Sequence, residues 1–458
     1  RRDLISLDLL LSHSITQQIG GAIQPSTCRL APKPLMSSRA SASSMTDTLT
    51  LMKRPLLALL PLMLLGCSAQ STTETTSSVV STTNPTEVTN TSGVVETSTT
   101  APKIPRLSTD SRLSESQILD QLDRCQIADI TPYQGSSSGF PRPVEYERRN
   151  DLQVLVVPVS VRGYLFSEED LTLAKTGLTK SAEFWNAMSY GGFNVQSTIL
   201  PSESWLTFDE TAEQLGLISS GPMTDYQAFV EMAMTRLSEN METSKFDVFY
   251  VALPAVNDFL MGQAMDLGEG FISDNEGRQK AIFIGGGYLN FWEVTAHELG
   301  HAGFGLEDLY SFESQSNIFG DWDMMQMALL VPSKEITSWS RWIAGWLEDS
   351  QIQCLEEQDS TVLFIEPIEI MSALPKSVFV RTSDHSVLVV ESRRNLGYDV
   401  SGSSVLIYTV DTSNSHGYGP YKFEGTLKEV GETLTVDRIT ISLTDTDVDG
   451  DLVTVDIQ

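Results

Sequence analysis

Apolar and polar positions change rhythm several times along the chain. Residues 153–161 (QVLVVPVSV) form an almost unbroken apolar run, which predicts a strand buried on both faces. Ser167-Glu168-Glu169-Asp170 has the form of a capping box and predicts a helix running to about residue 188. Strands are predicted at 195–200, 246–253 and 281–284, with a helix at 226–237. Gly285, Gly286 and Gly287 predict a turn, followed by a helix over 291–302 with Gly303 and Gly305 as natural ends. Further upstream, Ile118, Leu119 and Leu122 have helical spacing in a short segment that begins near Ser114. Strands alternating with helices point to a mixed α/β (α+β) domain over 151–353. From 354 to 458 the rhythm shortens. Alternating runs at 361–366, 377–382, 386–391, 404–410, 433–443 and 452–457 predict an all-β region, sandwich-like in organisation.

The first hundred residues follow other rules. Residues 1–51 show no sustained pattern and read as a non-mature or untranslated extension, with a genuine extension as the alternative. Met52-Lys53-Arg54 opens a basic stretch, and 55–65 is almost wholly apolar, shorter than the ~20 residues of a membrane-spanning helix. Residues 52–66 therefore read as a signal peptide. Leu64-Leu65-Gly66-Cys67 resembles a bacterial lipobox, which implies an acylated Cys67 inserted in a bilayer at the cell envelope, facing away from the cytoplasm. A plain secretory signal is the alternative. Residues 71–100 hold 18 Ser or Thr and no aromatic residue, so 67–103 reads as a flexible tether. Residues 104–150 form a pre-domain segment.

Lys plus Arg number 30 and Asp plus Glu 60, a formal charge of −30. That balance excludes the basic surface that nucleic-acid binding needs. A solvated acidic surface on a monomer is the expectation.

The chemistry is concentrated in His297-Glu298-Leu299-Gly300-His301, an HExxH motif. Residues four apart on a helix share a face, so His297 and His301 can offer two imidazole nitrogens to one ion. Glu298 stands where a carboxylate can take a proton from water. The chain has five His, so two at this spacing around a Glu argue for Zn2+ rather than an incidental pair. A third ligand is needed, and Glu307 or Asp308 can supply it.

The stretch HELGHAGFGLEDLY resembles the immune inhibitor A-like secreted metallopeptidases of the metzincin clan, whose pattern is HExxHxxGxxD. One extra residue before Gly305 departs from it: counting this pattern from His301 puts Glu307 in the ligand place, while counting from the turn glycine Gly305 puts Asp308 there, the preferred reading, because the turn aims the ligand back toward the metal. Gly320-Asp321-Trp322-Asp323-Met324-Met325 is similar to the family's G-x-WDxM segment, making Met325 the residue of the Met-turn. Residues 332–347 (PSKEITSWSRWIAGWL) resemble its helix ending in GW. Phe184-Trp185 with Ser189-Tyr190-Gly191, Val390-Glu391-Ser392-Arg393-Arg394 and 405–411 (VLIYTVD) resemble further segments of the family. The resemblance covers about 150–458. It implies a zinc endopeptidase acting on polypeptides, with Glu298 catalytic, Met325 beneath the metal and Tyr310 supporting the transition state or bracing Asp308. It also implies an edge strand that binds substrate backbone.

Four Cys occur, Cys28, Cys67, Cys125 and Cys354, without a CxxC pair. With Cys67 acylated and Cys28 lost, a Cys125–Cys354 disulfide is expected in an oxidising compartment. A latency role for Cys125 at the metal is the other reading. Asp445, Asp447, Asp449, Asp451 and Asp456 have the spacing of a calcium loop, but 452–457 reads as a strand, and an acidic hairpin turn is the alternative. His385 and His416 read as ordinary surface or core residues. Other functions remain open at this stage: a zinc hydrolase of non-peptide bonds, a structural zinc protein, and a non-catalytic adhesion or binding lipoprotein that keeps the fold.

Overall fold

The computed structural model describes residues 108–458, apart from 133–135, 144–145, 147–149, 219–225, 257–259, 269, 274–276, 315 and 357–359. The extension, leader, Cys67 and tether expected over 1–103 lie outside the described residues. Among the described residues, no helix is long and apolar enough to cross a membrane.

A mixed six-stranded sheet carries the first half. It comprises β1 (Asp151–Arg162), β2 (Asn194–Ile199), β3 (Leu206–Thr211), β4 (Val248–Ala252), β5 (Leu260–Asp266) and β6 (Lys280–Gly286). The order is β2-β1-β4-β6-β5, with β3 also paired to β1. All pairings are parallel except β5 with β6. The unbroken apolar run of β1 has a simple cause. Leu152, Val154 and Val156 face one core, while Leu155, Val157, Val159 and Val161 face another. A strand with helices on both sides has no polar face to show.

The helix Glu168–Met188 starts at the predicted Ser167–Asp170 capping box, whose two partners both form. With the helix Trp292–Phe304 it covers one face of the sheet, and the helix Tyr226–Ser238 covers the other. The first two of these helices approach closely at Gly177, where an added Cβ would stand 3.1 Å from Thr295 Oγ1. The indole N–H of Trp185 donates to the Ala296 carbonyl at 3.1 Å.

The second half is β-rich. One sheet has the order β12-β11-β10-β9-β7: Tyr421–Leu427, Ser404–Asp411, Ser386–Arg393, Ser377–Arg381 and Ile352–Leu355. The other is β13-β14-β15-β8: Thr433–Val436, Ile439–Thr446, Asp451–Ile457 and Ser360–Ile365. Val380, Leu388, Val390 and Ile407 of the first pack with Leu363, Ile441, Val453 and Val455 of the second. The opposite face of the five-stranded sheet puts Phe379, Val389 and Tyr408 into the same core as Trp185 and Leu299. The core therefore runs unbroken across the expected boundary at 353/354.

Several expectations need correction. The helix over 291–302 extends through Gly303, and Gly305 alone ends it. The segment 332–347 is helical only over Ser338–Ile343. The run 433–443 is two strands of a hairpin, turning at Asp437 with φ 51°. Cys125 and Cys354 form a disulfide with Cα atoms 6.0 Å apart, tying the helix Glu115–Cys125 to β7. That pairing leaves no thiol at Cys125 for latency.

Candidate metal centre

The helix Trp292–Phe304 carries the motif because its apolar side, Val294, Ala296, Leu299 and Ala302, packs into the core under the sheet. It ends at Gly305, which sits in the left-handed region at φ 58°. Two demands select glycine there. The backbone angle disfavours a Cβ, and that Cβ would also lie 2.5 Å from the Tyr146 ring. The turn sends the Leu306 N–H back to the Gly300 carbonyl at 3.2 Å and delivers residues 306–308 to the face that bears the two histidines.

There His297 Nε2, His301 Nε2 and Asp308 Oδ1 converge. The separations are 3.1 Å between the two nitrogens, and 3.0 and 3.2 Å from Asp308 Oδ1 to His297 and His301. Each imidazole is oriented through its other nitrogen. His297 Nδ1 faces the Met324 carbonyl at 3.1 Å, and His301 Nδ1 faces the Leu306 carbonyl at 2.6 Å. A carbonyl only accepts, so both Nδ1 atoms carry the proton. In neutral rings both Nε2 lone pairs then point at one another and at a carboxylate oxygen. Three electron-rich atoms at about 3 Å repel unless a cation lies among them. A proton or a metal ion can serve, and among the described residues these three are the group that could hold a metal.

The electrostatics agree. Burial opposes charge on His301, but the Asp308 carboxylate overrides it and pushes the imidazole pKa up to about 10. Burial alone would raise the Asp308 pKa, yet the two imidazoles hold it well below the usual carboxylate range. Glu298 is buried one residue from His297. Burial raises its pKa, the imidazoles oppose that, and its carboxylate accepts from the Ala264 N–H of β5.

The carboxylate that stands beside the two histidines is that of Asp308, not that of Glu307. Glu307 turns to form a close hydrogen bond with His416, which arrives from the loop between β11 and β12. Tyr310 is buried and its hydroxyl bonds the Asp308 carboxylate. Burial and that carboxylate together keep the phenol neutral. Met325 is wholly buried beneath the motif helix. A Cβ on Gly300 would stand 2.5 Å from its sulfur. The Leu309 N–H donates to the Met325 carbonyl at 2.9 Å, so this turn braces both the helix and the loop that bears Asp308.

The five aspartates near the C-terminus do not converge. Asp445 to Asp451 lies at a β-hairpin turn between β14 and β15. Asp451 is buried against Arg394 at 2.9 Å and also accepts from Ser392 and Thr446. Asp447 accepts from the Asp449 and Gly450 N–H groups, and Asp456 stands on a strand opposite Thr440. The described residues thus form an acidic hairpin turn, in which Arg394 pairs with Asp451 and bonds the Asp447 and Gly450 carbonyls. The supporting carbonyls of Met324 and Leu306 were beyond sequence reasoning, since a backbone group leaves no residue signature.

No family model matches this chain, and no curated protein matches it.

Proposed function

We propose that the protein is a zinc-dependent endopeptidase that hydrolyses peptide bonds of extracellular proteins, anchored at the cell envelope through acylated Cys67. The observation that carries this reading is the convergence of two Nε2 atoms and one carboxylate oxygen beside the buried carboxylate of Glu298. Ligands 2.0–2.1 Å from a tetrahedral ion stand about 3.3 Å apart, close to the 3.0–3.2 Å found here. Calcium and magnesium prefer all-oxygen shells, so the two imidazoles favour zinc. Three protein ligands leave a fourth position open, as a hydrolytic site requires.

His297, His301 and Asp308 would hold the ion. Once bound, zinc supplies Lewis acidity, polarising the scissile carbonyl and making water acidic near neutral pH. The protein's own part is proton handling and alignment. Glu298 takes the proton of the attacking water on its carboxylate and passes it to the departing amine. Met324 and Leu306 carbonyls keep both Nε2 atoms aimed at one point. Tyr310 braces Asp308. The end strand β5, which donates to Glu298, offers an extended polypeptide a backbone edge beside the site.

Glu298→Ala should keep one zinc per chain and lose at least about 100-fold in casein cleavage. Undiminished cleavage by that variant would defeat the assignment. An unaltered protein that binds zinc but cleaves no polypeptide would instead favour a binding lipoprotein that keeps the fold.

A further inference from the structure

The segment that precedes β1 reaches the back of the metal centre. It is tied down by the Cys125–Cys354 disulfide, and Phe140 packs its ring 4.6 Å from that of Trp342. The Trp339 indole N–H donates to the Ser138 carbonyl at 2.8 Å. Three groups of the segment then meet the end of the motif helix. The Ser137 N–H donates to the Gly305 carbonyl at 3.0 Å. The Arg142 guanidinium donates to the Phe304 carbonyl at 2.6 Å and to Gly305 at 3.3 Å, and bonds the Ser137 carbonyl as well. The Tyr146 ring covers Gly305.

A helix terminus leaves carbonyls without partners and carries partial negative charge. A cation placed there satisfies both. This terminus matters more than most, because the next carbonyl along the chain, Leu306, fixes the ring of His301. Movement of that turn would displace the carbonyl that orients the imidazole toward the point it shares with His297 and Asp308.

We propose that Arg142 is a positioning residue for the metal centre: its guanidinium holds the helix-ending turn from which Leu306 orients His301 and Asp308 is delivered. Ser137, Arg142 and Tyr146 are thus part of the site's scaffold, not a removable cover over it. This inference rests on the zinc reading above.

The test compares full-length protein with Arg142→Ala, Arg142→Lys and Arg124→Ala. Arg124 lies on the same N-terminal segment but pairs with Glu356 at the surface, away from the helix end. Zinc affinity is measured by chelator competition, and ligand geometry from the visible bands of cobalt-loaded protein. Loss of groups behind a metal ligand weakens binding about 10- to 100-fold. Arg142→Ala should weaken zinc about 10-fold and shift the cobalt bands. Arg142→Lys, with one point donor, should fall between it and the unaltered protein, and Arg124→Ala should match the unaltered protein. Equal affinity and spectrum in Arg142→Ala would overturn the proposal, as would an equal loss in Arg124→Ala. If Arg142→Ala does not fold, Arg142→Lys decides, and affinity unchanged from the unaltered protein would count against the role. An unaltered protein that takes up no zinc would defeat the zinc reading itself, and this inference with it.

Discussion

Gly300 lies between the two histidines, on the side of the helix that rests on Met325. Adding one methyl there tests whether that methionine supports the site. In the structure an added Cβ would stand 2.5 Å from Met325 Sδ, 3.0 Å from Met325 Cε and 3.1 Å from the Trp185 ring. Both side chains are wholly buried, so neither has solvent to retreat into. Overpacking of this kind costs about 1–3 kcal/mol. Alanine in a helix interior returns about 1 kcal/mol over glycine. Gly300→Ala should therefore be destabilised by a net amount between zero and about 2 kcal/mol, a range too close to zero to decide alone.

A double-mutant cycle decides it. Met325→Ala by itself should cost about 2–5 kcal/mol through the cavity it leaves. In that background the methyl of Gly300→Ala enters vacated space, and the same substitution should stabilise by up to about 1 kcal/mol. The coupling free energy should equal the relieved overpacking, about 1–3 kcal/mol. Thermal and denaturant unfolding of the four metal-free proteins measure it, with chelator-competition zinc affinities alongside. Gly300→Ala should weaken zinc, since the helix must shift away from Met325 and carry His297 and His301 with it. A coupling within about 0.5 kcal/mol of zero would refute the claim that Met325 bears on the helix.

Other outcomes follow from the same geometry. Asp308→Ala should abolish stoichiometric zinc binding, while Glu307→Gln should retain it. The reverse pattern in elemental analysis would restore Glu307 as the ligand. Replacing both Cys125 and Cys354 by serine opens a loop of 229 residues and should cost roughly 5 kcal/mol in reversible unfolding. Two reactive thiols in the folded, unaltered protein would contradict the bridge. Asp323 accepts from the Met325 and Thr337 N–H groups, yet burial pushes its pKa up to about 6 from 3.8. A raised folded pKa means that its contribution is complete below about pH 3.8 and lost as pH rises through about 6. The stability of the unaltered protein relative to Asp323→Asn should thus fall over that window, by roughly 3 kcal/mol. A difference constant from pH 4 to 6 would refute it.

How much was legible beforehand depended on the range of the interaction. The strand at 153–161, the capped helix from Ser167 and the HExxH pair were readable because each is a pattern over fewer than about twenty neighbours. Strands Leu260–Asp266 and Tyr421–Leu427 were missed. Leu260–Asp266 holds a glycine and polar residues without clean alternation, Tyr421–Leu427 alternates but is interrupted by Gly425, and each lies at the end of its sheet, where burial imposes less on composition.

By itself, the sequence determined that two imidazoles share a helix face with a carboxylate beside the first, since helical geometry alone puts residues four apart together. It also determined the mixed α/β start and the β-rich end. Only the tertiary structure decided that Asp308, and not Glu307, stands beside the two imidazoles. His416, more than a hundred residues away in the chain, draws Glu307 aside, while the left-handed turn at Gly305 delivers Asp308. The same holds for the carbonyls of Met324 and Leu306, which orient the rings, and for Arg394, which takes Asp451 out of the acidic turn. Those partners meet through packing across distant segments, and local pattern carries no record of which groups packing will bring into reach.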